Sequence, residues 1–104
     1  MNEDRIKVLE QFLKEDPTDP FNYYALALEH KDQNPEKAKP LFEHLLATFT
    51  DYLPTYYMAG LFFNDRADTV KGLVILRTGL ALARSQKNQS ASRELQAAIE
   101  QLED

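Results

Sequence analysis

A chain of 104 residues has room for one domain, and 43% hydrophobic with 28% charged residues, 3 glycines and 5 prolines, suits a folded protein rather than a disordered one. The absence of cysteine excludes disulfides, thiolate metal sites and cysteine nucleophiles. The net charge of −5 sits wholly in residues 1–52, with 11 acidic and 6 basic side chains, while residues 53–104 carry six of each; such a chain repels a phosphate backbone, and its densest basic cluster, Lys37 and Lys39, has Glu36 beside it, so no nucleic-acid partner is expected.

The start Met1-Asn2-Glu3-Asp4 has neither the cationic residues nor the apolar run of a secretory signal. No apolar stretch approaches the roughly 20 residues that span a bilayer, so a cytoplasmic location without a membrane partner is expected. Ile6, Leu9 and Leu13, widened by Val8 and Phe12, give one apolar face to a helix from about Glu3 to Glu15. Asp16-Pro17-Thr18-Asp19-Pro20 stops it, because proline excludes the preceding residue from helical geometry. Asp19 then serves as an N-cap and Pro20 as the first residue of a second helix, to about Asp32. Asn34-Pro35 repeats that start for a third helix, to about Phe49. Pro40 falls in its second turn, so either the backbone at Glu36 adjusts or the helix begins later. Leu53-Pro54 opens a fourth helix, to about Asp65. Asp68 caps a long fifth, from Thr69 to about Gln86. After the polar break Lys87-Asn88-Gln89-Ser90, a sixth helix from Ser90 to Glu103 carries Leu95, Ala98, Ile99 and Leu102 as a single stripe. No segment alternates like a half-buried strand. Helices of these lengths on short connections pack as antiparallel neighbours, so the fold class is all-α.

The chain also repeats itself. Tyr23-Tyr24-Ala25-Leu26-Ala27-Leu28 returns at an offset of 33 as Tyr56-Tyr57-Met58-Ala59-Gly60-Leu61, and Ala38, Phe42 and Leu45 return at 34 as Gly72, Leu76 and Gly79. A helical period of this length marks stacked helix pairs. Closely crossing helices need small residues at the crossing, a role for Ala27 and Ala38 in one pair and Gly60 and Gly72 in the next. Tyr23, Leu26 and Phe42 then fill the space around the first crossing, and Tyr56, Phe63 and Leu76 that around the second. Each glycine inside a helix costs about 1 kcal/mol against alanine, so Gly60, Gly72 and Gly79 imply close backbone approach.

These positions resemble the tetratricopeptide repeat, whose signature runs aromatic-x2-Leu-Gly-x2-Tyr, then Ala-x3-Phe, then Pro. The first unit reads Tyr23-x2-Leu26-Ala27-x2-His30 with Ala38-x3-Phe42, the second Tyr56-x2-Ala59-Gly60-x2-Phe63 with Gly72-x3-Leu76. His30 replaces an aromatic, one residue is missing near Asn34, and Thr50 and Arg84 stand where prolines would close each unit. The resemblance implies antiparallel hairpins stacked as a short right-handed superhelix of about six helices in a single domain, 1–104. Residues 3–16 form a half-repeat, since Leu9 and Pro17 match the closing Phe and Pro. Residues 19–52 and 53–87 are full repeats, and 90–103 a polar-faced cap.

In this family the first helix of each pair lines a concave groove, which the resemblance assigns here to Phe21, Tyr24, Leu28 and Lys31, then Tyr57, Leu61 and Asn64. Members that grip a terminal carboxylate use lysine, arginine and asparagine where this chain has Tyr24, Leu28, Tyr57 and Leu61, so an apolar or amphipathic peptide fits better. The implied function is a noncatalytic protein-interaction module, an adaptor or assembly factor. The alternative is a structural homo-oligomer, for instance a homodimer, whose groove its own subunits fill. Two full units fall short of the three or so that stacked repeats favour, which self-association would relieve.

Other chemistry finds no footing. Glu29-His30 and Glu43-His44 are sequence neighbours pointing about 100° apart on a helix, so neither pair chelates one ion. Ser85, Ser90 and Ser92 lie far along the chain from either histidine, and the glycines are isolated, so no catalytic triad, phosphate loop, metal or cofactor is expected.

Overall fold

The computed structural model describes residues 3–104, which leaves Met1 and Asn2 of the sequence start outside the described residues. Six helices account for the secondary structure: α1 (Glu3–Glu15), α2 (Pro20–His30), α3 (Pro35–Thr48), α4 (Pro54–Asp65), α5 (Thr69–Ser85) and α6 (Gln89–Glu103). No strand occurs among the described residues. The chain divides into two compact units, one ending at Tyr52 and one comprising Leu53–Asp104.

In the first unit α2 packs between α1 and α3. Asp19 accepts a hydrogen bond from the Phe21 amide at 3.0 Å, and Pro20 opens α2 at a position whose amide has no helical acceptor. Ile6 and Leu9 of α1 bury against Ala25 and Leu26 of α2, with Leu13 and Leu41 packed alongside. Asn22, buried at the start of α2, latches the two helices: its amide donates to the carbonyls of Phe12 at 3.3 Å and Asp16 at 3.0 Å. Across the α2–α3 crossing Ala27, Ala38, Phe42 and Leu45 are all wholly buried.

Two local expectations change. Helix α2 ends at His30 rather than Asp32, although the Asn34 amide still donates to the His30 carbonyl at 2.7 Å and carries one helical bond across the turn that follows. Asn34 holds the N-cap position of α3, but its side chain makes no capping bond; its amide nitrogen instead lies 3.4 Å from Nδ1 of buried His30. Helix α3 runs from Pro35 straight through Pro40. The carbonyl that Pro40 leaves without a helical donor belongs to exposed Glu36, where water reaches it.

The second unit packs α5 between α4 and α6. The glycines are where the helices meet. A Cβ on Gly72 would stand 2.7 Å from the Gly60 carbonyl oxygen, and one on Gly60 would stand 2.5 Å from a Leu76 methyl. One on Gly79 would collide with Cβ of Tyr56. Asp68 caps α5 through the Lys71 amide, and Asn88 caps α6 through the Ala91 amide, so the polar break contains the start signal of the last helix. Helices α4 and α5 end alike. The amides of Ala67 and Asp68 bond to the Asn64 and Phe63 carbonyls, and those of Lys87 and Asn88 to Arg84 and Ala83. Ala67 and Lys87 adopt φ of 65° and 59°, the left-handed closing position that glycine usually holds. No helix among the described residues is long and apolar enough to cross a membrane.

Candidate functional site

The seven residues assigned to a groove divide between the units. Tyr24 and Leu28 on α2 and Lys31 just past its end follow one another at i, i+4 and i+7, and Tyr57, Leu61 and Asn64 do the same on α4. That spacing places each trio on one helix face. All six are half-buried, and Phe21 in the first turn of α2 is 54% exposed. Core residues adjoin them in sequence: Ala25 after Tyr24, Tyr56 before Tyr57 and Phe62 after Leu61 are buried. On α2 and on α4 the packing thus consumes one stripe and leaves a second, aromatic and aliphatic stripe partly open.

Local partners differentiate the members. The ring of Tyr24 meets that of Tyr52 edge to face at 5.7 Å. Lys31 lies just beyond the end of α2, and its ammonium pairs with Asp32 at 3.1 Å. Asn64 accepts a hydrogen bond from the Thr69 hydroxyl at 2.7 Å, which ties the end of α4 to the start of α5. Lys31 and Asn64 therefore have structural work of their own.

Three features escape the repeat pattern. Tyr52 joins Tyr24, and with Pro20, Thr48, Phe49, Thr50 and Asp51 it lines a depression of about 380 Å³. Partial burial raises its phenol pKa above the ordinary value, and the negative charge of Asp19 adds to the rise. Tyr52 follows the last residues of α3, where helical periodicity carries no signal. Tyr23 is only half-buried: its hydroxyl donates to the Pro17 carbonyl at 2.8 Å, and its ring lies 4.6 Å from His44 and 5.6 Å from Phe49. His44, an exposed residue, is therefore part of an aromatic cluster. In the second unit Arg84, Lys87 and Arg93 line a depression of about 480 Å³ with Gln89 and Ser92. Linear spacing hides this cationic cluster because the turn between α5 and α6 brings it together.

A crystal structure of a tetratricopeptide repeat domain protein from Salinibacter ruber matches with a TM-score of 0.77 and 38% identity, over 82% of this chain and 96% of that one. A solution NMR structure of a tetratricopeptide repeat domain protein from the same organism gives 0.79 and 39%, over 85% and 90%. No family model and no curated protein matches the sequence.

Proposed function

The chain belongs to the tetratricopeptide repeat family, and from that premise we propose that it is a noncatalytic protein-interaction module that docks an apolar or amphipathic peptide segment on the first helices of its two repeats. The observation that supports this reading is the pair of open stripes, Tyr24 with Leu28 on α2 and Tyr57 with Leu61 on α4, at equivalent positions of the two repeats. Tyrosine suits a recognition surface because it offers a broad apolar ring and a polar tip at modest entropic cost. Leucine beside it adds area without charge to desolvate. In this reading Phe21 and Lys31 extend the α2 stripe and Asn64 the α4 stripe.

The test is selection of displayed random peptides against the wild-type protein, followed by binding of the enriched peptides to a Tyr24→Ala, Tyr57→Ala double variant. Enriched peptides should carry spaced apolar residues. Their affinity should fall at least about thirtyfold in the variant, as expected of aromatic anchors. Helix content by circular dichroism should not change. Enrichment of charged peptides, or unchanged affinity in the double variant, would overturn the assignment.

A further inference from the structure

Helix α1 exposes two apolar side chains one turn apart, Val8 at 50% and Phe12 at 49%. The repeat register shows that this exposure is unusual. Phe12 precedes Leu45 by 33 residues, and Leu45 precedes Gly79 by 34. Leu45 and Gly79 are both buried against the helix that forms the other half of their pair. Phe12 holds the same place on a helix that has no such mate within its unit.

A further repeat helix does not suit this face. The register position that Ala38 and Gly72 hold, where paired helices cross closely, is occupied in α1 by Arg5. A guanidinium there keeps a crossing helix at a distance. Arg5 is also engaged on its own unit, bridging Glu29 at 3.0 Å while its side chain stays 63% exposed.

The charges around the apolar pair select a different mate. Arg5 lies three residues before Val8 and Glu15 three residues after Phe12, so all four share one face of α1. Such a face is self-complementary when inverted. With Val8 opposite Phe12 of a second copy, Arg5 stands opposite Glu15 of that copy, and the two-fold axis generates both contacts again. A parallel arrangement would instead oppose like charges. We propose that the Val8–Phe12 face of α1 is a self-association surface on which a second copy of this chain docks antiparallel about a two-fold axis. The surface is made of α1 residues, whereas the docking residues belong to α2 and α4, and it does not rest on the peptide-docking reading. A single pair of helices of 13 residues covers less than the roughly 800 Å² per partner of a stable interface, so the dimer forms weakly and exchanges rapidly.

The experiment is sedimentation velocity of the whole chain over a wide concentration range at low salt. The weight-average mass should climb from 12.0 kDa toward twice that value and stop there. Phe12→Glu should weaken association at least about thirtyfold, the scale of a central aromatic contact. Glu15→Arg should weaken it about threefold, and Arg5→Glu combined with Glu15→Arg should restore it, because the inverted pair is again complementary. The Tyr24→Ala, Tyr57→Ala variant should associate like the wild type, which separates this surface from the peptide-docking one. A wild type that stays at 12.0 kDa throughout, association indifferent to Phe12→Glu, a double reversal without recovery, or dissociation by the tyrosine variant would each overturn the proposal.

Discussion

The α2–α3 hairpin and the α4–α5 hairpin share a register and solve the same packing problem with different residues. In the first, alanine stands at both crossing positions and Leu45 fills the space beyond. In the second, glycine stands at all three equivalent places, and Cβ of Tyr56 occupies the room that a side chain on Gly79 would take. The fate of the leading tyrosine follows. Tyr56 is only 4% exposed, whereas Tyr23 lies outward and half-buried, on His44 and Phe49, with its hydroxyl on Pro17. One missing side chain on the second helix thus decides whether the tyrosine of the first becomes core or surface.

Exchanging the crossing residues should break this contrast most visibly. Gly72→Ala gains about 1 kcal/mol of helix propensity, but its new methyl meets the Gly60 carbonyl and, at 3.3 Å, the Asn64 amide, both backbone atoms that no rotamer change moves aside. Overpacking of that kind costs about 3 kcal/mol, so urea denaturation should show a net loss of about 2 kcal/mol. The reverse exchange, Ala38→Gly, should cost only about 1 kcal/mol, chiefly in backbone entropy. Equal losses would mean that the two crossings are equally tight.

Next in size is the latch position. Asn22 and Thr55 are equivalent at the offset of 33, yet Asn22 satisfies two carbonyls while the Thr55 hydroxyl, wholly buried, has no hydrogen-bond partner among the described residues. Asn22→Ala should cost about 1–2 kcal/mol by leaving the Phe12 and Asp16 carbonyls without it. Thr55→Val, nearly the same shape without the polar atom, should be neutral or stabilise by up to about 1 kcal/mol. A Thr55→Val variant destabilised as much as Asn22→Ala would point to a water on that hydroxyl.

A smaller gain lies in the turns of the second unit. Ala67→Gly and Lys87→Gly relieve a left-handed backbone without disturbing the two closing bonds at each helix end. Each should raise stability by about 0.5–1 kcal/mol after the extra entropy of glycine in the unfolded chain is counted.

The smallest effect belongs to the loop after α1. Hydrogen bonds from the Thr18 hydroxyl and then the Thr18 amide hold the Asp16 carboxyl below its ordinary pKa. A depressed carboxylate favours the fold at pH above its unfolded value, and that contribution disappears as pH falls through the folded value. Denaturation midpoints across the acid range should show a slight fall there in the wild type, flatter in Thr18→Val. A steeper slope in the variant would reverse the assignment.

The helices were legible because each start carries its own chemistry: Asp19-Pro20, Leu53-Pro54 and Asp68 stand where the helices begin, and the apolar periodicity covers the rest. The glycines spoke for close approach because nothing else justifies them inside a helix. What pattern reasoning lost lies in turns and stacks. Asn34 turns to His30 instead of capping, Asn88 caps from inside a polar run, and Tyr52 reaches Tyr24 from a loop. The first two are choices a turn makes within four residues, and the third joins residues 28 apart that no periodicity relates. The candidate site divides the same way. The stripes on α2 and α4 could be read from spacing, but the private engagements of Lys31 and Asn64 could not.

Helix α1 buries two residues, Ile6 and Leu9, where α4 and α5 bury six each. Opening a segment costs free energy in proportion to the contacts it gives up, so the amides of α1 should be the first in the chain to exchange with deuterium. A weak dimer seated on such a helix would slow that exchange as protein concentration rises. Association and the lifetime of the helix would then appear as one measurement, and the kinetics of a few amides would count encounters between molecules.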